Sequence, residues 1–215
     1  MSTAIMQEPA TTISKARIES LIDGIFAFSM TLLVASLIFP NAMGDSANTI
    51  KLVDLLWNLA PDIMYYAISF MILSNYWLLS NQLHTYLPAA MEMHSVRIIF
   101  ASLILVAIMP VSTVIAATYG GNPYSDVILE ANLFAIGILF SLHWWQIIRK
   151  PDIQQDPVSR LQGCIALRKN LVTPLVASLA IIIAIAGVPW SIALLVVVPF
   201  LETWAKKSCY SRQSG

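Results

Sequence analysis

The sequence predicts an all-α polytopic membrane protein with six transmembrane helices, on three observations. Of its 215 residues, 58% are apolar and 11% are charged, whereas a soluble domain carries about a quarter charged residues. Six apolar stretches approach the roughly 20 residues needed to cross a hydrocarbon core of about 30 Å. The Lys and Arg residues collect between alternate stretches rather than along the whole chain.

The first stretch runs from Ile18 to Phe39. It is too long for a signal-peptide core and no small-residue cleavage site of convincing form follows it, so it is expected to be a retained span. The second covers Leu55 to Ser80, the third Val96 to Ala117 and the fourth Val127 to Ile148. The fifth covers Leu171 to Val188, with an amphipathic lead-in from Leu161. The last, Trp190 to Trp204, is short and holds Pro199, which predicts a tilted or kinked helix, or one lying partly at the interface. No Gly/Ser-rich linker divides the chain. The expected organisation is a cytoplasmic N-terminal segment (1–17), a six-helix transmembrane domain (18–204) and a cytoplasmic C-terminal tail (205–215).

Charge placement sets the orientation. Lys15 and Arg17 precede the first span and Arg97 lies by the second connection. Arg149, Lys150, Arg160, Arg168 and Lys169 occupy the fourth-to-fifth connection, and Lys206, Lys207 and Arg212 the tail. Of the 12 Lys and Arg, only Lys51 falls on the other side. The positive-inside rule therefore puts both termini in the cytoplasm. Trp57, Trp144, Trp145, Trp190 and Trp204 lie near predicted span ends, as interfacial belts place them. The short loops agree with a prokaryotic plasma membrane.

Several function classes are excluded on this reading. Lys+Arg and Asp+Glu balance at 12 each, so no basic surplus points to nucleic acid. No Gly-rich phosphate loop, HExxH motif or nucleophile elbow occurs, so no cofactor and no metal are expected. His84, His94 and His143 are scattered and read as loop or interfacial residues without a convergent catalytic partner. Cys164 and Cys209 fall on the cytoplasmic side, where thiols stay reduced. Asp23, Asp62 and Glu130 are expected near span ends, with no charge at midplane depth, which leaves an intramembrane protease without its paired acids. An enzyme is not expected.

The first span carries the chemistry. Arg17 and Asp23 are six residues apart, about one and a half turns. An Asp in lipid is costly unless paired or facing water, so Asp23 either pairs with Arg17 of a neighbouring turn or helix, or serves as a cation-attracting vestibule group. Ala27, Thr31 and Ala35 form a small-xxx-small stripe that permits close helix approach. Phe28, Leu32 and Ala35, at i, i+4 and i+7, form a neighbouring stripe that faces a central axis if the helix is turned by one residue. Four such helices around an axis give apolar rings with one hydroxyl ring at Thr31, and apolar constrictions gate ions by dewetting. The sequence leaves the rotation open.

This helix resembles that of the transmembrane protein 175 family, prokaryotic single-repeat branch, which opens with Arg-x-x-x-Phe-Ser-Asp, then Gly and an apolar run with Thr-Leu-Leu-Val. Arg17, Asp23, Gly24 and Thr31-Leu32-Leu33-Val34 match in register. The resemblance covers nearly the whole chain: Tyr76-Trp77 ends helix two, helix three is expected to break at Met109-Pro110, Tyr119-Gly120 forms a short outer loop and Ala131-Asn132-Leu133 lies in helix four. It implies a homotetrameric potassium-permeable channel of six helices per subunit, lacking a Thr-Val-Gly-Tyr-Gly filter. Helix one would line the pore, with Phe28 at the narrowest ring and Thr31, Leu32 and Ala35 as the next pore positions. Three departures matter. Leu21-Ile22 stand for the motif's Phe-Ser, Leu79-Ser80-Asn81 replace an Asn-His-His after Tyr-Trp, and Phe28 is bulkier, Ala35 smaller, than the usual residues. The polar network at the base of helix one is thus expected to be rebuilt around Arg17 and Asp23, and the constriction to be shifted.

Three functions follow from these residues. The first is passive conduction of K⁺, or other monovalent cations, through four copies of helix one in a lipid bilayer. The second is a secondary or proton-linked carrier, which usually shows inverted repeats and a charged midplane site; neither is legible here. The third is a non-conducting or differently selective relative, which the lost Phe-Ser and Asn-His-His elements permit.

Overall fold

A computed structural model describes residues 14–35, 52–85, 93–149, 157–188 and 190–211, with side chains for all of these but 52–56, 58, 84–85, 157–160 and 206–211. Lys51, Lys150, Arg160, Lys206, Lys207, Arg212, His84 and Cys209 lie outside the described side chains. The order is α1 (Lys15–Ala35), α2 (Leu52–Thr85), α3 (Met93–Thr118), α4 (Pro123–Ile148), α5 (Pro157–Ile185), a 3₁₀ segment (Ser191–Val197) and α6 (Val198–Ser211). Among the described residues, five helices, α1 to α5, are long and apolar enough to cross a membrane.

The final apolar stretch differs from its expected form. It is not one α-helix: the chain turns through Gly187 (φ 85°) and Trp190 (φ 67°), runs as a 3₁₀ segment, and becomes α-helical only at Val198. Pro199 enters α6 in its first turn, where its missing N–H costs no helical bond.

Elsewhere local chemistry sets the helix ends. Gly121 takes a positive φ of 92° and Asn122 caps α4, its side chain accepting the Tyr124 N–H at 3.0 Å. Pro123 then occupies the first turn, where its fixed φ suits the helix.

The break expected at Met109-Pro110 does not occur, and α3 runs through Pro110. The proline removes the donor that the Val106 carbonyl would take, and Asn132 of α4 crosses to α3 beside this turn. Its Nδ2 lies 3.2 Å from the Leu105 carbonyl and 3.2 Å from Ser112 Oγ. Replacing Asn132 by Leu is expected to cost about 1–2 kcal/mol, the scale of an interhelical bond in an apolar medium. A thermal midpoint unchanged from the wild type, measured in detergent by loss of the monodisperse peak, would refute this role.

α4 packs against α3 and α5, α1 against α2 and α3, and α5 against α6. Lipid tails are as apolar as Leu, so burial between helices brings no hydrophobic gain. Close packing and interhelical bonds decide the arrangement. At the α4–α5 seam, Gly137 faces Pro174 and the Tyr76 hydroxyl. Below it, Asn170 donates to Ser141 Oγ (3.0 Å), which donates to the Gly137 carbonyl (2.7 Å).

Two expectations about side-chain placement are corrected. Trp144 does not belong to an interfacial belt: it is 1% exposed and packs in the core, whereas Trp57 and Trp204 are open. Its neighbour Trp145 stays outside and carries the Arg149 guanidinium 3.8 Å above its ring. Acidic residues also lie inside the bundle. Glu130 is fully buried, and Glu202 is buried and accepts from Asn75 Nδ2 at 2.5 Å. Cys164 is half-buried with a free thiol.

Candidate functional site

α1 has two unlike faces. Ile18, Ile22, Phe26, Ser29 and Leu33 are all buried and recur at three- and four-residue intervals, one stripe of a 3.6-residue helix. This stripe holds α1 to α2 and α3. The opposite face stays unpacked within the subunit: Arg17, Gly24, Ala27, Phe28, Thr31, Leu32 and Ala35 are exposed. Phe28 is 64% exposed, against 37% for Leu32. A Cβ built on Gly24 meets nothing within 4 Å.

Both stripes weighed from the sequence therefore lie on the unpacked side. The stripe that packs was not singled out, although Ile18, Ile22, Phe26 and Leu33 carry the periodic signal that would have revealed it. Leu32 and Ala35 share an apolar groove of about 370 Å³ with Pro110, Val111, Val114 and Ile115 of α3. Phe28 and Thr31 stand clear of that groove.

Thr31 is oriented by its own helix. Its hydroxyl lies 2.6 Å from the Ala27 carbonyl and 2.9 Å from that of Phe28. The single hydroxyl proton is used inward, so the oxygen's lone pairs are left for whatever occupies the open face. An oxygen with its proton engaged is an acceptor, which suits a cation and not an anion.

Within the subunit, Asp23 does not pair with Arg17. Its Oδ1 accepts from Trp77 Nε1 of α2 at 2.9 Å, tying α1 to α2 just before the open stretch. The ion pair at the helix start is instead Lys15–Glu19 at 3.7 Å, an exposed i, i+4 contact of small energetic value. Where the resemblance has Asn-His-His, Leu79 and Ser80 are buried. Behind α1, a small cavity is lined by Ile22 and Phe26 together with Ser80, Ser102 and His143. His143, expected at an interface, is 3% exposed and brings its imidazole to this cavity from α4. His94 instead stays outside, 3.0 Å from Gln146 Nε2.

Against this geometry, the family described as endosomal/lysosomal potassium channel TMEM175 matches residues 17–110. The matched segment holds α1, α2 and α3 up to Pro110, including Asp23, Trp77 and the open face. Over that segment, a little under half of the chain, the sequence is similar to this family. A potassium channel of Streptomyces collinus (strain DSM 40733 / Tue 365) is 24% identical over 141 residues, 62% of this chain. The chain spans 64% of that relative's length. Among solved structures, the lysosomal potassium-selective channel TMEM175 homolog from Chamaesiphon Minutus has a TM-score of 0.65 at 21% identity. The match covers 87% of this chain and 97% of that one. A single-substitution variant of the potassium channel MtTMEM175, solved with a nanobody–MBP fusion, has a TM-score of 0.60 at 17% identity, covering 97% of this chain and 99% of that one. These likenesses show a shared fold over 87% and 97% of the chain. A chain of this fold with five helices of spanning length is a multi-pass membrane protein, and the family whose model matches is described as a potassium channel.

Proposed function

We propose that the chain forms a homotetrameric, potassium-permeable cation channel in the cell membrane, with α1 of four subunits lining the pore. The observation that carries this reading is the open face of α1. A subunit that leaves Phe28 uncovered and spends the Thr31 proton inward has one helix face unfilled by its own core, while α2 and α3 support the other. The TMEM175 match and the shared fold favour a pore as what completes that face.

In this pore, four Phe28 rings form an apolar constriction that dewets when narrow, and four Thr31 oxygens form an acceptor ring one turn further along. Hydroxyls and apolar rings supply few fixed dipoles, so K⁺ is preferred over Na⁺ by weak discrimination. Leu32 and Ala35, turned toward the α3 groove, line the pore less directly than Phe28 and Thr31.

Six crossings, with both termini cytoplasmic, also belong to this reading, and the 3₁₀ segment supports them. Seven residues at about 2.0 Å rise extend about 14 Å. The next eight, to Ala205, add about 12 Å at 1.5 Å per residue. Their sum of about 26 Å approaches a 30 Å core, whereas an all-α stretch of that length reaches about 22 Å. The tighter helix lengthens the short last stretch enough to cross with slight local thinning of the bilayer.

The test is a planar-bilayer recording of the purified chain under a K⁺/Na⁺ bi-ionic gradient. The expected result is a current whose reversal potential is displaced toward that of K⁺. Absence of any current in either direction sinks the proposal, and concentrative uptake driven by a proton gradient replaces it with a carrier.

A further inference from the structure

At the end of the bundle where α4 begins, two acids are shut away together. Asp126 and Glu130 are each 0% exposed and, at i and i+4, share one face of α4. Tyr65 of α2 donates its hydroxyl to Asp126 Oδ1 at 2.6 Å. The backbone N–H groups of Trp190 and Ser191 donate to the same carboxylate, so Asp126 caps the start of the 3₁₀ segment. Trp190, held at a left-handed φ of 67°, lays its ring against Tyr65 with centroids 5.9 Å apart. Asp126 is thus amply supplied with donors.

Glu130 is not. Ser191 Oγ lies 2.6 Å from Glu130 Oε1 and 3.5 Å from Asp126 Oδ2, one hydroxyl between two carboxyl groups. Glu130 Oε2 is buried with no hydrogen-bond partner. Among the described residues, the other titratable groups at this end are Tyr65 and the half-buried Asp62 of α2, with Tyr119 and Tyr124 exposed on the α3–α4 turn. The adjoining ends of α3 and α5 and the 3₁₀ segment bring no acidic or basic side chain. No cationic side chain among the described residues pairs with either acid.

Two like charges sharing a dry site with one hydroxyl proton do not both stay ionised, and a buried charge without a partner is far costlier than a neutral group. We propose that Glu130 is a proton-binding site, its proton held on Oε1, donated to Ser191 Oγ and relayed by the serine hydroxyl to Asp126. The short 2.6 Å contact serves equally in this direction. Oε2 becomes a neutral carbonyl oxygen, whose missing partner is tolerated far better than that of a charged oxygen. The neutral acid, the serine and the capping Asp126 together clasp the last segment onto α2 and α4. The clasp does not depend on ion conduction.

The folded chain then holds a proton that the unfolded chain releases at neutral pH, so its stability falls as pH rises. The test uses the full chain in lipid nanodiscs, wild type and Glu130→Gln, read by infrared difference spectroscopy and by thermal midpoint across pH. A protonated-carboxyl C=O band is expected in the wild type at neutral pH and lost in E130Q. The wild-type midpoint should fall with rising pH, while that of E130Q stays flat and no lower at neutral pH. Absence of the wild-type band overturns the proposal even if E130Q fails to fold. So does a band that survives in E130Q and disappears in Asp126→Asn. A wild-type midpoint raised by Na⁺ or K⁺ against choline at fixed ionic strength and pH, and not so raised in E130Q, overturns it in favour of a metal cation.

Discussion

Replacing Phe28 by Ala is expected to raise single-channel conductance about tenfold, which corresponds to a barrier lowered by about 1.4 kcal/mol. The side chain is 64% exposed and holds up no packing inside its subunit, so its removal leaves the fold intact and acts only on what faces it. If four Phe28 rings form the constriction, their loss widens and rewets it. Thr31→Val, which keeps the shape and removes the hydroxyl, is expected to leave conductance high and bring the K⁺/Na⁺ permeability ratio toward one. Leu175→Ala is the control. Leu175 is similarly exposed, at 65%, but lies on α5 rather than α1. Equal effects from all three substitutions, or none from Phe28 and Thr31, would place the conduction path somewhere other than α1.

Gly137→Ala is expected to destabilise the bundle by about 1–3 kcal/mol, the usual cost of overpacking. A Cβ there would lie 2.7 Å from Pro174 Cδ, 2.7 Å from the Tyr76 hydroxyl oxygen and 3.0 Å from Pro174 Cγ. Neither neighbour yields cheaply. The proline ring is part of the backbone of α5. Tyr76 is fully buried, bonded to the Leu133 carbonyl at 3.2 Å and stacked on Phe140 at 5.4 Å. The gain from replacing Gly by Ala in a helix, up to about 1 kcal/mol, offsets part of the clash. Gly24→Ala separates the two terms, because nothing lies within 4 Å of its built Cβ. It should be neutral or slightly stabilising. Thermal midpoints of both variants measure the difference; a Gly137→Ala midpoint at or above the wild type would show that the α4–α5 seam has room to spare.

The spans were legible because a bilayer demands long apolar helices whatever their partners, and α1 to α5 follow from length and hydropathy. α1 stands out in the sequence by Arg17, Asp23 and the Thr31-Leu-Leu-Val run, and in the structure by its open face. The partner of Asp23 was not legible. The ion pair with Arg17 was the natural reading of two opposite charges on one helix, yet Asp23 takes the Trp77 indole from 54 residues away. Pro110 likewise read as a break, yet α3 runs through it, with Asn132 of another helix bonded beside it. Trp144 and Trp145 are adjacent letters with the same side chain, and only the rotation of α4 sends one into the core and leaves the other outside.

By itself the sequence determined that this is an all-helical membrane chain, which helix carries its distinctive residues, and that the fold resembles TMEM175. Each of these rests on composition, length or a local motif. The tertiary structure alone decided which side of α1 is open, because a helix with apolar residues nearly all round can pack on several faces, and the choice falls to its neighbours. It also decided that Asp126, Glu130, Tyr65 and Ser191 meet. Those residues lie on three separate elements, and in a medium without water polar groups are driven to find one another across the bundle, a pairing no local pattern records.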